Sequence, residues 1–508
     1  MQGGLLAYDI YRDLRWRLHF GLPLIFSAGG KREVPQPDGE PFKSLSSTPP
    51  DNIGMSTPGR QPHPKASRHS AYVYRVIARE ISTLTRYYDR LVQWRPRPDD
   101  SCLLFEFAAA KSKTFLEPGA EFPNIAAEQE ERTAVLINGN LNYDYDIQAT
   151  LMELKSRLSH SSRVVIVLYN SYLSFVYWLA NRSGLRRAEL PGTFITQVDL
   201  RGLAELTGFE IVRQRPSVYV PWRLWGLGDL ANRILQVVPL LRWLSLAYVV
   251  TLRPIVPRRA SGLTCVIPAR NERGNIEDAL KRFPDLGCPV EIVFVEGHSS
   301  DGTWEEIERV APLYEGRFQI QMHRQTGKGK ADAVRLGFSH ATQPLLTILD
   351  ADLTMPPELL GRFCKAYWEG HGDFINGSRL VYPMEGEAMR FLNRLGNVFF
   401  AKALSWVLDT RLSDSLCGTK LVARHDYQRM IAWRRDFGDF DPFGDFELLF
   451  PAAILGLGTI DIPVRYRART YGSTNIDRFS HGLLLLRMTM TGLWRVKIGS
   501  GKTPDAPS

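Results

Sequence analysis

The stretch that decides the fold of the second half of the chain is LLTILDADLTMPPE, residues 345–358. An apolar run typical of a buried strand ends here in Asp350 and Asp352, which stand two positions apart. Side chains two apart on a strand point the same way, so the two carboxylates share a face. Paired carboxylates suit a hard divalent cation that also binds substrate phosphates. The alternative is that they cap the turn before Pro356, where aspartate is common.

Strand-like and helix-like segments alternate around this stretch. The runs GLTCVIPA, VEIVFVEG, FQIQMH and LLTILDA are typical of strands, and between them lie the helical patterns NIEDALKRF, GTWEEIERVAPLY and KADAVRLGFSH. Such alternation predicts the α/β class, with a mostly parallel sheet and helices on both faces. Ligands of such sheets bind beyond the carboxyl ends of the strands, where the two aspartates lie.

Length and composition predict how the chain is divided. The 508 residues suggest two or three domains. Residues 1–70 are predicted to be mostly disordered, because most of them are rich in Pro, Gly and Ser and have little to bury. A linker near residues 253–262 separates a domain over 71–255 from a second over 262–498, and residues 499–508 are predicted to form a loose tail.

Net charge and cysteine content indicate which kinds of partner and which cellular compartment to expect for this protein. The formal net charge of +9 favours anionic partners such as nucleotides or phospholipid surfaces. The basic residues are spread out with no aromatic–basic module, so no nucleic-acid partner is expected. Five scattered cysteines without a CxxC pair are typical of reduced thiols in a cytosolic protein. The apolar run 234–252 is broken by Pro239 and Arg242, which predicts a helix followed by a buried strand instead of a membrane span.

Ordered motifs around the aspartates resemble those of a known family. VIPARNERGNIEDAL opens the second domain, IVFVEGHSSDGT and GKGKADAVRLGF follow, and INGSRL, LCGTKLVAR and IPVRYRARTYGST come after the aspartates. In this order they resemble family 2 glycosyltransferases of the GT-A fold, in particular the branch of dolichyl- and polyprenyl-phosphate glycosyltransferases. The resemblance covers residues 262–497 and implies a GT-A nucleotide-sugar-binding fold.

The resemblance also implies a role for each matching residue. Asp350 and Asp352 match the metal-binding DXD motif, which holds Mg²⁺ or Mn²⁺ against the nucleotide diphosphate. Arg379 matches the arginine after the Gly-Ser pair, and Arg469 the late arginine that meets phosphate. Thr474 departs from the pattern, because the branch often has a lysine there. The positions that match nucleotide-binding residues are Pro268, Asn271 and Glu272 in the first loop, Glu296 and Asp301 in the second, and Lys328 and Gly329 in the glycine-rich turn.

Whether a general base is needed depends on the acceptor. A sugar hydroxyl must lose its proton to a carboxylate, whereas a phosphate acceptor is largely dianionic at neutral pH. Glu447 matches an acid that the wider family places near the acceptor, so it is the candidate base. Its neighbour Asp445 is predicted to be a helix N-cap. Arg465, Arg467 and Arg469 alternate and are predicted to share one face of a strand.

The end of the second domain offers a clue to the acceptor. DRFSHGLLLLRMTMTGLWRVKIG combines Leu, Met and Trp with arginines and a lysine. This pattern suits a helix lying in a membrane interface, and it also suits a terminal helix packed on the domain. A cytoplasmic protein held peripherally at the inner face of the cell membrane fits the charge and the resemblance.

The first domain resembles a second family. SCLLFEF, TAVLINGNL, RVVIVLYN and FITQVDLRGLAELTGFEIV are similar to segments of class I S-adenosylmethionine-dependent methyltransferases. The glycine-rich loop of that family, which follows its first strand, corresponds to EFAAAKSK here, and only 27 positions separate Glu106 from Thr133. One βαβ unit takes about 30 residues, so part of the cofactor-binding fold is missing. We therefore expect a degenerate, Rossmann-like methyltransferase fold without bound S-adenosylmethionine.

These inferences favour one function over three competing ones. The leading hypothesis is a metal-dependent, inverting transfer of a sugar from a UDP- or GDP-linked donor to a polyprenyl phosphate or another cell-envelope glycan acceptor. A nucleotidyltransferase also uses paired aspartates, but IPARNERGN is not the glycine-rich start of that class. A non-catalytic scaffold of a glycan-assembly complex is the second competing function, and a bifunctional methyltransferase–glycosyltransferase is the third.

Overall fold

The computed structural model describes residues 68–97, 102–128, 131–186, 189–258, 261–382, 391–437, 441, 444–467, 469, 471 and 478–498. The predicted disordered segment lies outside the described residues except for its last three residues, which begin the first helix. The predicted loose tail and Thr474 also lie outside them. Residues 63–508 form one compact unit, and its described residues contain two β-sheets.

The first sheet is a mixed six-stranded sheet. Its strands are β1 (Arg90–Gln93), β2 (Ser112–Phe115), β3 (Thr133–Asn138), β4 (Arg163–Tyr169), β5 (Phe209–Pro216) and β6 (Ala247–Pro254). Their order is β2-β1-β3-β4-β6-β5; the first four are parallel, and β6 runs antiparallel between β4 and β5. The helices of this part are α1 (Arg68–Thr85), α2 (Leu103–Phe107), α3 (Ile147–Arg157), α4 (Ser174–Arg182), α5 (Gln197–Thr207) and α6 (Leu227–Leu235).

The segment SCLLFEF does not form the first strand that the resemblance to methyltransferases implies before EFAAAKSK. Leu103–Phe107 form the short helix α2 instead, and its Leu104 lies in one apolar cluster with Val76 and Ile77 of α1. A run of five residues, four of them apolar, has too few repeats for its periodicity to distinguish helix from strand. Thr133 begins the buried strand β3.

The second sheet has seven strands and carries the predicted α/β pattern. Its strands are β7 (Leu263–Ala269), β8 (Val290–Glu296), β9 (Gln319–Arg324), β10 (Leu345–Ile348), β11 (Phe374–Ser378), β12 (Lys420–Ala423) and β13 (Thr459–Pro463). The order is β13-β11-β12-β10-β7-β8-β9, and only β12 is antiparallel to its neighbours among these strands. The predicted mostly parallel sheet is therefore confirmed.

Helices cover both faces of the second sheet. They are α7 (Ile276–Lys281), α8 (Thr303–Tyr314), α9 (Lys330–His340), α10 (Leu360–Trp368), α11 (Phe391–Leu408), α12 (Arg424–Phe437), α13 (Phe446–Ile454) and α14 (Arg478–Gly492), and a π-helical segment, Leu493–Ile498, follows. Strand side chains alternate between two cores: Val266 and Leu346 belong to one, and Cys265 and Leu345 to the other. Burial on both faces explains why these strands are nearly continuous apolar runs.

The apolar run 234–252 folds as predicted. Its first residues end α6, a 3₁₀ segment follows at Pro239–Leu244, and β6 is buried along its whole length. Among the described residues, no helix combines the length and apolar character needed to cross a bilayer.

Buried ion pairs join the two sheets within the compact unit. Asp373, just before β11, accepts hydrogen bonds from Arg163 Nη2 of β4 at 2.5 Å and Arg258 Nη2 at 2.7 Å. Arg132, which precedes β3, pairs with Asp426 of α12, and both side chains are almost fully buried. Burial raises the pKa of Asp373, but the surrounding arginines hold it well below its ordinary value. Pairing of this kind offsets the cost of burying the charges and fixes the two sheets against each other.

Candidate active site

The candidate site lies where β7, β8 and β10 end. These strands are parallel, with β7 between the other two, so their carboxyl ends meet at one edge. The first loop leaves β7 at Ala269, the second leaves β8 at Glu296, and the aspartate loop follows β10. This edge is where open α/β sheets bind their ligands.

Asp350 lies beside Lys330, the first residue of α9. The Lys330 ammonium pairs with the carboxylate, and both side chains are about one-third exposed. Burial raises the pKa of Asp350, but Lys330, Lys420 and Arg379 together hold the carboxyl pKa below its ordinary value. Gly418 closes this corner, because a Cβ there would overlap both Asp350 and Lys330.

Asp352 is almost fully buried and holds two kinds of partner. Its Oδ1 accepts hydrogen bonds from the Thr354 backbone N–H at 3.1 Å and hydroxyl at 2.7 Å. Its Oδ2 accepts from Arg469 Nη2 at 2.7 Å, and Arg469 Nη1 lies 3.5 Å from Glu272 Oε1 of the first loop. Burial raises the pKa of Glu272, and Asn275 and Arg469 offset part of that rise. Arg469 therefore links the first loop to the aspartate loop.

The prediction that Arg465, Arg467 and Arg469 share a strand is wrong. Strand β13 ends at Pro463, and the described residues after it are irregular. The backbone N–H of Arg467 donates to the Thr354 carbonyl at 2.9 Å, which lays this segment along the aspartate loop. The position of Arg469 therefore comes from loop packing, not strand alternation.

Hydrogen bonds fasten the first and second loops together. Asn271 has a left-handed backbone, φ 55°, and its N–H donates to Ser299 Oγ at 3.0 Å. Its Oδ1 accepts from the Ser300 N–H at 2.9 Å. Asp301 accepts from the Arg273 N–H and the Tyr471 hydroxyl, each at 3.2 Å. The loops predicted to bind nucleotide thus form one connected rim.

Three other predicted nucleotide-binding positions support the rim from below. Glu296 is buried and accepts from the Ser299 N–H at 2.5 Å, which folds the second loop back over its strand. Gly329 has φ +86°, and its carbonyl accepts from Gln325 Nε2 at 2.8 Å. Pro268 lies within β7, paired with Val295 of β8. Lys328 is exposed, and it is Lys330 that reaches Asp350.

Arg379 is committed to a buried carboxylate. Its Nε and Nη2 donate to the two oxygens of Asp414 at 2.7 and 2.9 Å. Burial lowers the pKa of Arg379, but Asp414 raises it well above its ordinary value. Nearby, Lys420 pairs with Asp445, so Asp445 occupies an N-cap position without making the predicted side-chain cap.

Glu447 is paired with arginines of helices α9 and α12. Its Oε2 accepts from Arg335 Nε of α9 at 2.9 Å and lies 3.2 Å from Arg434 Nη1 of α12. The carboxylate is nearly buried, and these arginines hold it between two helices. The described contacts do not bring Glu447 to the group around Asp350.

Sequence reasoning missed four residues that shape the site. Lys330 and Gly418 border Asp350, Asp414 neutralises Arg379, and Lys420 pairs with Asp445. Lys330 could have been predicted from the sequence, because it is the second lysine of the GKGK motif. The roles of Gly418, Asp414 and Lys420 are visible only from contacts between residues that are far apart in the sequence.

The described residues fit a metal that is shared with a substrate. No three His, Cys, Asp or Glu side chains converge within the described part of the chain. Two carboxylates at a strand end nevertheless suffice for Mg²⁺ or Mn²⁺ when substrate phosphates complete the shell. Asp350 and Asp352 would hold the ion, and Lys330 and Arg469 would then be available to phosphate oxygens.

Comparison with known proteins shows which family this part of the chain resembles. Residues 264–429 match the family described as Glycosyl transferase family 2. Over these residues the chain is similar to that family, which agrees with the resemblance found in the sequence.

Individual relatives extend the comparison beyond the family. The chain is 33% identical over 136 residues to a dolichol-phosphate mannosyltransferase of Pyrococcus furiosus, 26% of this chain and 37% of that protein. It is 29% identical over 195 residues to a dolichyl-phosphate hexose transferase of Haloferax volcanii, 38% and 76% of the two chains. It is 26% identical over 218 residues to an undecaprenyl-phosphate 4-deoxy-4-formamido-L-arabinose transferase of Klebsiella pneumoniae, 42% and 62% of the two chains. The chain thus spans little more than a third of the Pyrococcus relative.

Two solved structures are also similar to part of the chain. The mannosyltransferase PcManGT of Pyrobaculum calidifontis, solved with GDP-Man and Mn²⁺, is 20% identical with a TM-score of 0.33, covering 49% of this chain and 68% of that one. Glucosyl-3-phosphoglycerate synthase of Mycobacterium tuberculosis, solved with UDP, is 16% identical with a TM-score of 0.34, covering 48% and 82%.

Proposed function

We propose that this protein transfers a sugar from a nucleotide sugar to a polyprenyl phosphate or a similar cell-envelope acceptor, with a divalent metal held at Asp350 and Asp352 in a GT-A fold. The observation that carries the proposal is the meeting of these two carboxylates with the cations of Lys330 and Arg469 at the ligand-binding edge of the sheet. The names of the relatives, which are sugar transferases acting with dolichyl or undecaprenyl phosphate, support the acceptor class.

The residues of the site suit the departure of a nucleotide diphosphate. An acceptor phosphate oxygen forms a bond to the anomeric carbon, the bond from that carbon to the diphosphate breaks, and the configuration inverts. A bound Mg²⁺ or Mn²⁺ would supply charge neutralisation for the leaving group. Lys330 and Arg469 pair with Asp350 and Asp352, so if these carboxylates held a metal ion, both cations would be positioned to meet the oxygens of the diphosphate. Preorganised cations of this kind stabilise charge as it develops.

A phosphate acceptor removes the need for a general base. Its second pKa is about 6, so the nucleophile is already deprotonated at neutral pH. Glu447 is held by Arg335 and Arg434, and in this proposal it fixes α9 and α12 and does not take up a proton. A hydroxyl acceptor would need a base, and the described contacts bring no unpaired carboxylate to the aspartates.

We infer that the first sheet is a degenerate methyltransferase-like fold that serves as a scaffold without S-adenosylmethionine. Between α2 and β3 the described residues contain β2 and no helix, which supports the loss of cofactor-binding elements. The buried pairs of Arg132 and Arg163 with the second sheet support a structural role.

Nucleotide diphosphate release tests the enzymatic proposal. Purified protein is incubated with Mn²⁺ or Mg²⁺, a panel of UDP- and GDP-sugars and a polyprenyl phosphate. Asp352→Asn keeps the shape of the side chain and removes the charge, and we expect it to lower release at least about 100-fold. Asp285→Asn is the matched control, because Asp285 is exposed and precedes β8 at the opposite end of the sheet.

The two outcomes separate the hypotheses. Acceptor-dependent release that is lost in Asp352→Asn and kept in Asp285→Asn supports the transferase and identifies its donor. No release with any pair, together with no metal-dependent nucleotide binding, refutes catalysis and favours the scaffold. Methyl transfer from S-adenosylmethionine to any component would instead favour the bifunctional enzyme.

A further inference from the structure

Helix α6 is amphipathic, but it exposes its apolar face and buries polar side chains, the reverse of the usual arrangement in a soluble protein. Leu227, Leu230 and Ile234 lie on one face and are 65%, 53% and 49% exposed, whereas Asn232 is 6% exposed and Gln236, just after the helix, is also 6% exposed. A surface helix ordinarily buries its apolar face and exposes its polar one. The reversed orientation leaves an apolar ridge directed outward.

The buried amide of Asn232 fixes this orientation. Its Oδ1 accepts from the backbone N–H groups of Tyr219 and Val220 at 2.7 and 2.9 Å, and its Nδ2 donates to the Val220 carbonyl at 2.9 Å and the Tyr72 hydroxyl at 3.2 Å. Rotating α6 to hide its leucines would break all four bonds and leave polar groups unsatisfied. The outward apolar face is therefore built into the fold.

The turn before α6 adds to the same ridge. Leu224 and Trp225 both have left-handed backbones, φ 44° and 53°, and the Trp225 side chain is completely exposed. Such conformations are strained for residues other than glycine, and they cluster at functional sites. Gly228 permits this turn to lie against the helix, because a Cβ there would overlap the Trp222 carbonyl.

Helix α4 continues the apolar ridge. The ring of Tyr172, just before α4, stacks on Trp243 in the segment after α6, with centroids 5.9 Å apart. Within α4, Phe175, Trp178 and Leu179 are exposed at helical spacing. We call the exposed apolar side chains of residues 172–179 and 222–244 the apolar face.

The carboxyl-terminal helix lies next to the apolar face. Gln236 Nε2 donates to the Lys497 carbonyl at 3.3 Å. Helix α14 and the segment after it bury Leu485 and Met488 and expose Met490 and Trp494. Both placements predicted for this helix therefore have support, since one side packs on the domain and the other faces outward beside α6.

We propose that the apolar face docks on a phospholipid bilayer that contains acidic lipids. A helix that presents Leu and Ile outward, with tryptophans beside it, has the composition of segments that lie in a membrane interface. Arg223 is 76% exposed next to the face, with its Nε 3.8 Å from Asp229 Oδ2. The Arg182 guanidinium lies 5.7 Å from the centre of the Trp178 ring. With the net charge of +9, these arginines complement acidic headgroups.

Docking would serve the proposed function, because a polyprenyl phosphate resides in the bilayer, and to that extent it rests on that proposal. The binding itself needs neither nucleotide nor metal. Patches of this apolar character are rare on monomers and mark interaction sites.

Flotation of the full-length protein with vesicles tests the docking. We expect it to float with phosphatidylcholine vesicles that contain about 30% phosphatidylglycerol, and to float less with pure phosphatidylcholine. The double variant Leu227→Glu/Leu230→Glu should lower partitioning at least about tenfold. Leu313→Glu on α8 is the matched control, since Leu313 is 64% exposed and distant in sequence from the apolar face.

Each result decides the matter. Asp352→Asn should float like the wild type, so loss of catalysis and loss of docking are distinguishable. Absence of flotation, or equal loss in Leu313→Glu, would overturn the proposal. So would a dimer of the wild type that dissociates in the double variant, because the apolar face would then bind a second copy of the chain. Thermal unfolding of each variant checks that these exposed substitutions leave the fold intact.

Discussion

The exchange of Lys330 for methionine tests the site most sharply, because sequence and structure favour different lysines. The motif assigns Lys328, whereas the structure pairs Lys330 with Asp350 and leaves Lys328 exposed. Lys330→Met keeps most of the side-chain volume and removes the cation. We expect sugar transfer to fall strongly, because the leaving diphosphate loses a charge partner.

The size of the loss follows from electrostatics. Two unit charges about 4 Å apart interact by ~4 kcal/mol at an effective dielectric constant of about 20. That free energy corresponds to about 10³ in rate, since each ~1.4 kcal/mol is tenfold. Because Lys330 is about one-third exposed, solvent screens part of the interaction. We therefore expect kcat/KM for the donor to fall about 100-fold.

The assay separates the role of Lys330 toward phosphate from its effect on the metal. Donor-dependent kinetics give kcat/KM for wild type, Lys330→Met and the matched control Lys328→Met, which should stay within about threefold of wild type. Calorimetry without nucleotide gives the Mn²⁺ affinity. That affinity should hold or increase in Lys330→Met, because the ammonium no longer competes for Asp350.

Two results would refute this reasoning. Equal losses in both lysine variants would mean that the pairing with Asp350 does not select Lys330. A Lys330→Met enzyme with unchanged kinetics and weakened Mn²⁺ binding would mean that the lysine supports the metal ligands and does not meet the diphosphate.

Three further substitutions probe other parts of the molecule. Asp373→Asn should lower the free energy of unfolding, measured in urea at pH 7, by about 3–5 kcal/mol, because the buried arginines lose their charged partner. The pKa of Asp373 is depressed in the folded state, so the stability that its charge contributes is present above about pH 4 and is lost as the pH falls further. The difference in stability between the variant and the wild type should therefore shrink at about pH 3. Glu447→Gln should lower the thermal midpoint but leave nucleotide diphosphate release within about threefold, as a base is not needed for a phosphate acceptor; an unchanged midpoint with a 100-fold loss would make Glu447 catalytic. Gly418→Ala should reduce release at least about tenfold by forcing Asp350 and Lys330 apart, whereas the control Gly361→Ala, whose added methyl would meet Leu286 at 3.8 Å, should be neutral.

The sequence predicts the frame of the second sheet well, for a physical reason. The central strands β7, β8 and β10 are buried on both faces, so their apolar runs are nearly unbroken, and the crossover helices repeat their apolar residues with the helical period. The pattern KADAVRLGFSH coincides with α9. In the first sheet, LLFEF is too short for such a period, and its helical form depends on packing against α1.

Site details escape the sequence wherever a contact between distant residues decides them. The glycine-rich turn contains two lysines, Lys328 and Lys330. Gly329 between them has a positive φ, and in this turn it is Lys330 that pairs with Asp350. Asp445 occupies an N-cap position, but its carboxylate forms an ion pair with Lys420 of β12. The reversed face of α6 is equally hidden, because Asn232 is buried only through partners in other segments.

The buried charges between the two sheets make each half incomplete without the other. A chain cut in the linker would leave Asp373 and Asp426 facing water in one fragment, and Arg132 and Arg163 in the other. In a separated fragment, the charged surface would become solvated, but it would lose the side chains that pack around it. The two halves therefore should unfold in a single transition, and neither can be exchanged for a homologous module unless the matching charges are exchanged with it.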